Sequence, residues 1–258
     1  MKTLEVRNPF GAPVYHAQTV TSTMDVSRKL ASEGAAHGTV IMADFQEAGR
    51  GRGLKRTWEM ESGVNLPFTV LLCYPCAEKI PQALTLRSGL AVSLVIEETA
   101  PALKNKVKIK WPNDIMINNK KTCGIICEAD VAGFAGVCKV FVGIGINVMQ
   151  KEFPPHLQSK ATSIFLEAGE IKDRFYLLEK ILERLYEKLE HGNDDWKNRI
   201  EQRLYKKGED VSFIEGGADS KNEIKGRLTG INENGELLIT QEGEQEPKNF
   251  ITGELRIY

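Results

Sequence analysis

No apolar run in this chain approaches the ~20 residues that a membrane-spanning helix needs. The N-terminus, Met1-Lys-Thr-Leu-Glu-Val-Arg-Asn-Pro9, lacks the apolar segment of a secretory signal. Neither charge is in surplus: 34 Lys and Arg stand against 35 Asp and Glu, so the chain has no global basic field with which to attract nucleic acid. Cysteine is scarce as well, with five in 258 residues. Cys73 and Cys76 make a single C-x-x-C, and Cys123 and Cys127 lie four apart. A structural zinc site calls for two well-spaced pairs or histidine partners, so the expectation is buried, reduced thiols in a cytoplasmic protein. Internal repeats and low-complexity segments are absent. The length permits one large domain, or a large one with a small one, and a core that needs no staples.

What the chain does have is a concentrated Gly/Arg stretch, Gln46-Glu-Ala-Gly-Arg-Gly-Arg-Gly-Leu-Lys-Arg-Thr-Trp58. Gly49, Gly51 and Gly53 alternate with Arg50 and Arg52, and Lys55 and Arg56 follow. Glycine-rich backbone is conformationally permissive, and cations this close repel one another unless an anion sits among them. Such a segment suits closure over a phosphate or carboxylate better than a packed core.

The flanking pattern is that of an α/β (α+β) protein. Val14–Val20 reads as a strand, and Met24–Glu33 as a helix capped by Ser22 or Thr23, with Asp25 in its first turn and Gly34 ending it. Residues 39–45 and 64–73 read as strands, and 80–98 as a long helix with a broad apolar stripe. A strand from Val107 ends at Trp111, because Pro112 lacks an N–H donor, which leaves Asn113 and Asp114 in a turn. Residues 115–117 and 122–128 form a hairpin across Asn118-Asn-Lys-Lys121. A strand over 137–148 carries Gly143-Ile-Gly-Ile-Asn147. Its alternating glycines read either as a bulge or tight packing, or as a bare floor for a ligand. Helices are expected over 175–189 and 194–205. After Lys206-Lys-Gly208 come short strands, at 210–214, 223–231, 236–240, 246–250 and 255–258, with a strong hairpin cue at Asn232–Gly235. About 50 residues of this kind suggest an appended β-barrel.

Ser22-Thr23, Gln46 with the Gly/Arg stretch, Lys110–Asp114, and Lys121 with Gly124 all fall in loops or at element ends, where sites concentrate. Together they supply Arg50, Arg52, Arg56, Lys110 and Lys121 against one obvious carboxylate, Asp114. That balance suits a substrate bearing phosphates, a carboxylate or both. The Gly/Arg stretch is not a Walker A loop, since no Gly-Lys-Ser/Thr follows, and Leu54 spoils a dinucleotide fingerprint. A single Gly-Arg-Gly-Arg-Gly also lacks the length and aromatic partners of an RNA-binding arginine-glycine segment.

In combination and in order, Ser22-Thr23, Gln46, Gly49-Arg-Gly-Arg52 with Trp58, Lys110-Trp-Pro-Asn-Asp114, Lys121, Gly124 with Glu128, and Gly143-Ile-Gly-Ile-Asn147 resemble the signature blocks of biotin protein ligases. The resemblance spans about residues 14–150. Lys-Trp-Pro-Asn-Asp is its specific part. Two departures stand out. Met24 occupies the place of the family's usual Asn, and one extra residue separates Arg52 from Trp58, making Arg56 the equivalent of the arginine two before Trp.

The resemblance implies a mixed β-sheet with packed helices, as in biotin ligases and class II synthetases, over residues 1–206. An SH3-like β-barrel follows over 207–258. It implies synthesis of biotinyl-5′-AMP from biotin and ATP, with Mg²⁺ accompanying the ATP, then transfer of biotin to a lysine of a biotin carboxyl carrier protein, such as an acetyl-CoA carboxylase subunit. Ser22, Thr23, Gln46, Arg50, Gly51, Arg52, Lys121 and Gly124 are then expected around biotin. Arg50, Arg52, Arg56, Trp58, Lys110, Asn113, Lys121 and Asn147 are expected around the nucleotide. Lys121, Arg52, Lys110 and Asp114 are the catalytic candidates, and no protein-bound metal is assigned. The first strand begins too early for an N-terminal helix-turn-helix, so DNA binding is not expected; monomer and homodimer both stay open. The alternatives are a lipoate or octanoyl transferring enzyme, which would lack Lys-Trp-Pro-Asn-Asp, and a non-catalytic binding module.

Overall fold

The computed structural model describes residues 1–53, 56–131, 137–191, 195–216, 220 and 222–256. Eight strands form one mixed sheet: β1 (Lys2–Thr3), β2 (Val14–Val20), β3 (Val40–Gln46), β4 (Leu66–Tyr74), β5 (Val107–Lys110), β6 (Asp114–Ile117), β7 (Lys120–Asp130) and β8 (Cys138–Ile146). Their spatial order is β1-β2-β3-β4-β8-β7-β6-β5. β2 and β3 are parallel and the other neighbours antiparallel. The parallel pair needs a crossover, and α1 (Thr23–Ser32) supplies it.

The helices divide between the two faces. On one, α2 (Leu84–Thr99) packs against α4 (Arg174–Glu190), and the main core runs between them and the sheet. On the other, Met24 and Ala31 of α1 meet Leu71 and Phe141 in a smaller cluster. That second face is only partly covered, and the site lies there. α3 (Ile164–Ala168), capped by Ser163, was not anticipated, nor was the short edge strand β1. The outer edge of β5 is closed by backbone bonds from Ile109 N–H to Arg203 O (2.8 Å) and from Tyr205 N–H to Ile109 O (2.9 Å). A chain segment thus covers an edge that would otherwise invite pairing.

The element boundaries depart from expectation for identifiable reasons. The long helix starts at Leu84 rather than residue 80, because Ala83 sits in the left-handed region (φ 52°) behind Pro81. The expected helix over 194–205 contracts to α5 (Trp196–Glu201); Asp194 lies outside the described residues. The β6–β7 hairpin turns on two residues, Asn118 (φ 48°) and Asn119 (φ 63°). Asparagine tolerates this conformation. Lys121 therefore belongs to strand β7 and not to a loop, and Asp114 opens β6.

The C-terminal strands β9 (Asp210–Glu215), β10 (Glu223–Ile231), β11 (Leu237–Gln241), β12 (Lys248–Phe250) and β13 (Gly253–Leu255) make an antiparallel sheet ordered β12-β11-β10-β9-β13. Among the described residues no pairing joins its edges β12 and β13 into a closed barrel. The expected last strand over 255–258 is displaced to Gly253–Leu255, and residues 257 and 258 lie outside the described set. This sheet docks on the larger unit: Trp111 Nε1 donates to Gly235 O (2.9 Å), and the Trp111 and Phe213 rings lie 6.0 Å apart. Gly235 is required there, since a Cβ on it would stand 2.6 Å from that of Ala83. All five cysteines carry free thiols; Cys123 and Cys138 are buried, and burial pushes the Cys127 thiol up to about 11. Among the described residues no helix is long and apolar enough to cross a membrane.

Candidate active site

The floor of the site is made by missing side chains. Gly143 and Gly145 alternate on β8, and Gly124 of β7 pairs directly with Gly145. β8 keeps an unbroken register with both neighbours, so the alternating glycines mark no bulge. Each is covered closely. A Cβ on Gly143 would lie 2.9 Å from Met24 Sδ, and one on Gly145 would lie 2.8 Å from the Trp58 ring. The Trp58 indole therefore lies on the bare sheet, with Lys121 Nζ 5.8 Å from its ring centre.

A bulge re-aims Lys121. Lys121 and Gly124 are three apart, and a regular strand would point them to opposite faces. Ile115 pairs with Cys123 but Met116 with Lys121, so Thr122 is the extra residue. The insertion flips the alternation. Lys121 Nζ then stands 3.1 Å from where a Gly124 Cβ would be, while Cys123 turns into the core.

At one end of the cavity the groups are neutral. Gln46 is the last residue of β3, beside the start of α1. The Thr23 N–H (2.9 Å) and the Thr23 hydroxyl (3.0 Å) both donate to Gln46 Oε1, and the Thr69 hydroxyl donates to Thr23 Oγ1 (2.9 Å). Because a backbone N–H can only donate, the Gln46 orientation is settled: oxygen toward Thr23, Nε2 toward the cavity. Ser22 Oγ accepts the Met24 N–H (3.3 Å), as expected of an N-cap, and its own proton remains available. Ser22, Thr23, Met24 and Gln46 all line the cavity.

At the other end the groups are charged. Lys121 Nζ pairs with Asp114 Oδ1 at 2.6 Å, and Lys110 Nζ stands 3.9 Å from the same carboxylate. Lys110 is 5% exposed. Burial lowers its pKa, and the nearby Asp114 and Glu254 carboxylates oppose that only in part. Burial also lowers the pKa of Arg52. Glu254 accepts from Arg56 at 2.6 Å and lies 3.5 Å from Lys110. Its burial would raise its pKa, but the Arg56 hydrogen bond together with Lys110 and Arg52 holds it below the usual carboxylate value. Among the described residues the cluster holds four cations (Arg52, Arg56, Lys110, Lys121) against two carboxylates (Asp114, Glu254), so an anion is favoured there.

The described parts of the Gly/Arg stretch, residues 49–53 and 56–58, pair with each other at the mouth of the cavity. Trp58 N–H donates to Gly49 O (2.8 Å) and Gly51 N–H to Arg56 O (2.7 Å). Gly51 is needed because a Cβ would come within 2.8 Å of that of Arg56. Each arginine is tethered to a different element: Arg50 to Asp25 of α1 (2.5 Å), Arg52 to Gly253 O, and Arg56 to Glu254. Lys55, beside the extra residue of this stretch, lies outside the described residues.

Of the residues singled out in the sequence, Ser22, Thr23, Gln46, Arg50, Gly51, Arg52, Trp58, Asn113, Lys121 and Gly124 line one cavity. Lys110, Asp114 and Arg56 join it through ion pairs. Asn147 does not line it: it is 4% exposed and braces β8, its Nδ2 donating to Thr162 O (3.1 Å). Asn113 lines the cavity and also braces β7, donating to Ile125 O (3.0 Å). Glu254 and Asp25 went unnoticed as site residues, though Asp25 was placed in the first helical turn. Among the described residues no group of three or more His, Cys, Asp or Glu side chains is placed to hold a metal ion.

The chain is similar to proteins of known family. Residues 16–147 match the biotin/lipoate A/B protein ligase family. Two proteins called bifunctional ligase/repressor BirA are similar. That of Bacillus subtilis is 41% identical over 172 residues, covering 66% of this chain and 51% of its own. That of Bacillus spizizenii is 35% identical over 241 residues, covering 90% of this chain and 71% of its own. The chain thus spans about half the length of the first relative. Among solved structures, a biotin protein ligase from Aquifex aeolicus in complex with biotin and ATP superposes with a TM-score of 0.76 at 31% identity, covering 94% of this chain and 97% of the other.

Proposed function

The chain belongs to the biotin/lipoate A/B protein ligase family, and on that premise we propose that it is an ATP-dependent biotin protein ligase. One observation carries the reading. A bare glycine floor joins a neutral hydrogen-bonding end (Ser22, Thr23, Gln46) to a cationic end (Lys110, Lys121, Arg52). Biotin has the complementary halves, a ureido ring that needs matched donors and acceptors and a carboxylate that must meet a phosphate.

In the first step a biotin carboxylate oxygen attacks the α-phosphorus of ATP, the bond to the β-phosphate oxygen breaks, and pyrophosphate leaves. The two reactants are both anions. Lys121 and Lys110 screen that repulsion and stabilise the charge that builds on the transferring phosphate. Arg50 and Arg52 close over the mixed anhydride and keep water from it. Trp58 covers an apolar ring of the ligand by stacking. In the second step a lysine amine of a biotin carboxyl carrier protein attacks the anhydride carbonyl, AMP departs, and Asp114 orients the incoming amine.

The ATP is taken as its magnesium complex. Asp114, shared by Lys121 and Lys110, is the residue that would hold such an ion beside the phosphates, and the ion would supply charge neutralisation there. The C-terminal strands fit a separate small SH3-like β-barrel domain from residue 207, a reading supported by their short, alternating pattern.

The test is incubation with MgATP, labelled biotin or lipoate, and a carrier domain. Biotin label is expected on the carrier, with pyrophosphate released. Label transferred only from lipoate would favour the sister activity of the family, and ligand retention without pyrophosphate would reduce the protein to a binding module.

A further inference from the structure

Lys121 owes its aim to the bulge at Thr122, and a bulge locally disrupts the ladder that carries it. Both backbone groups of Lys121 take partners outside the β6–β7 hairpin. Its N–H donates to Lys160 O (2.8 Å) and its carbonyl accepts from Thr162 N–H (2.9 Å), in a parallel bridge to Ala161. Thr122 O accepts from Asn147 N–H (2.9 Å), just past the end of β8. A strap over residues 160–162 therefore holds the backbone from which Lys121 reaches the cavity. One carboxylate joins this strap to the hairpin turn. Glu167 of α3 accepts the Thr162 hydroxyl at Oε1 (2.6 Å) and Asn118 Nδ2 at Oε2. Asn118 opens the two-residue turn that leads into β7. Glu167 does not line the cavity, yet it clasps the two pieces of chain between which the Lys121 backbone is held.

We propose that Glu167 is a positioning residue for Lys121. By clasping the Asn118 turn to the Thr162 strap it fixes the bulge, and with it the direction of the Lys121 ammonium toward the carboxylate and phosphate that react. The proposal rests on the ligase reading above. It leaves the neutral end untouched, since Ser22, Thr23 and Gln46 line the cavity from α1 and β3, and Thr23 is held by Gln46 and Thr69. The effect of Glu167 passes through Lys121 alone, so it must vanish in a chain that lacks that ammonium.

Glu167→Ala is expected to lower kcat for biotin-dependent pyrophosphate exchange about tenfold, the scale of a small misplacement of a reacting group, with the KM for biotin within about twofold. In a Lys121→Ala background the same substitution should leave the residual rate unchanged, because no ammonium remains to be aimed. A merely structural role lowers the rate by the same factor in both backgrounds, and that result overturns the proposal. So does a Glu167→Ala protein with the kcat of wild type. Glu167→Gln keeps one acceptor oxygen, and so one of the two bonds. Its kcat should fall between the other two, and it carries the comparison of backgrounds if Glu167→Ala does not fold. A second measurement needs no activity. Loss of the clasp should speed hydrogen exchange at the Lys121 amide about tenfold, because its bond to Lys160 O opens more often; unchanged exchange overturns the proposal. Wild type that releases no biotin-dependent pyrophosphate overturns the ligase reading instead, and amide exchange still decides whether Glu167 holds Lys121.

Discussion

The two ends of the cavity are built by different physics. The neutral end is local. Ser22 and Thr23 start a helix, Gln46 ends the next strand, and uncharged hydrogen bonds of 2.9–3.0 Å lock Thr23 to Gln46. The cationic end is assembled from distant parts of the chain: Arg52 and Arg56 from the Gly/Arg stretch, Lys110 and Asp114 from one hairpin, Lys121 from the next strand, and Glu254 from the last. Three of these cations are held by carboxylates, and Arg52 by the carbonyl of Gly253. The lesson is a division of labour. A neutral, pre-bonded end recognises shape and donor pattern at low electrostatic cost, whereas a net-positive end keeps charge in reserve for a reaction between anions.

That contrast can be broken in stages. The largest effect is expected at Lys121. Lys121→Ala should lower biotinyl-adenylate formation by about 10³-fold, as loss of a pre-aimed charge-stabilising donor does. The fold should persist, because the side chain is about a third exposed; full activity in that variant would refute the role. Gln46→Leu strikes the other end. It should raise the KM for biotin about 100-fold while leaving ATP binding near wild type, and it should cost about 1–3 kcal/mol of stability because the Thr23 N–H loses its acceptor. Equal damage to both substrates would show that the two ends are not separable. Asp25→Asn should do least. The Arg50–Asp25 pair is nearly half exposed at both partners, exposed pairs contribute about 0–1 kcal/mol, and a change of a few-fold at most is expected in the rate of adenylate release. A large effect would mean that the Gly/Arg stretch hangs on this tether.

The same division explains what could be read from the sequence. The neutral end was legible because helix caps and strand ends leave local marks: Ser22 is the N-cap and Gln46 closes β3. The glycine floor was legible too, since alternation at Gly143 and Gly145 is a period-two signal that survives without knowledge of the partners. Glu254 was not, because nothing near residue 254 announces a partner 144 residues earlier in the chain. Lys121 lines the cavity but stands in a strand, where a loop was expected. The error lay in the turn, where two asparagines do the work given to four residues, and the bulge at Thr122 then supplied the orientation that a loop had been invoked to provide. The late start of α2 was missed because the left-handed backbone of Ala83 leaves no mark in the apolar stripe.

The position of Trp58 has a spectroscopic consequence. The chain has three tryptophans. Trp111 and Trp196 are core residues, 2% and 9% exposed, packed away from the cavity. Trp58 alone of the three lies on the glycine floor, with an ammonium group 5.8 Å from its ring. Its emission is therefore an optical reading of what occupies the floor: a ligand that slides between indole and sheet, or displaces Lys121, changes the field at that ring and leaves the other two emitters as an internal reference. Titration with biotin should shift the emission in wild type, and a Trp58→Phe variant should show no shift. The protein thus carries its own label at the boundary between its two ends.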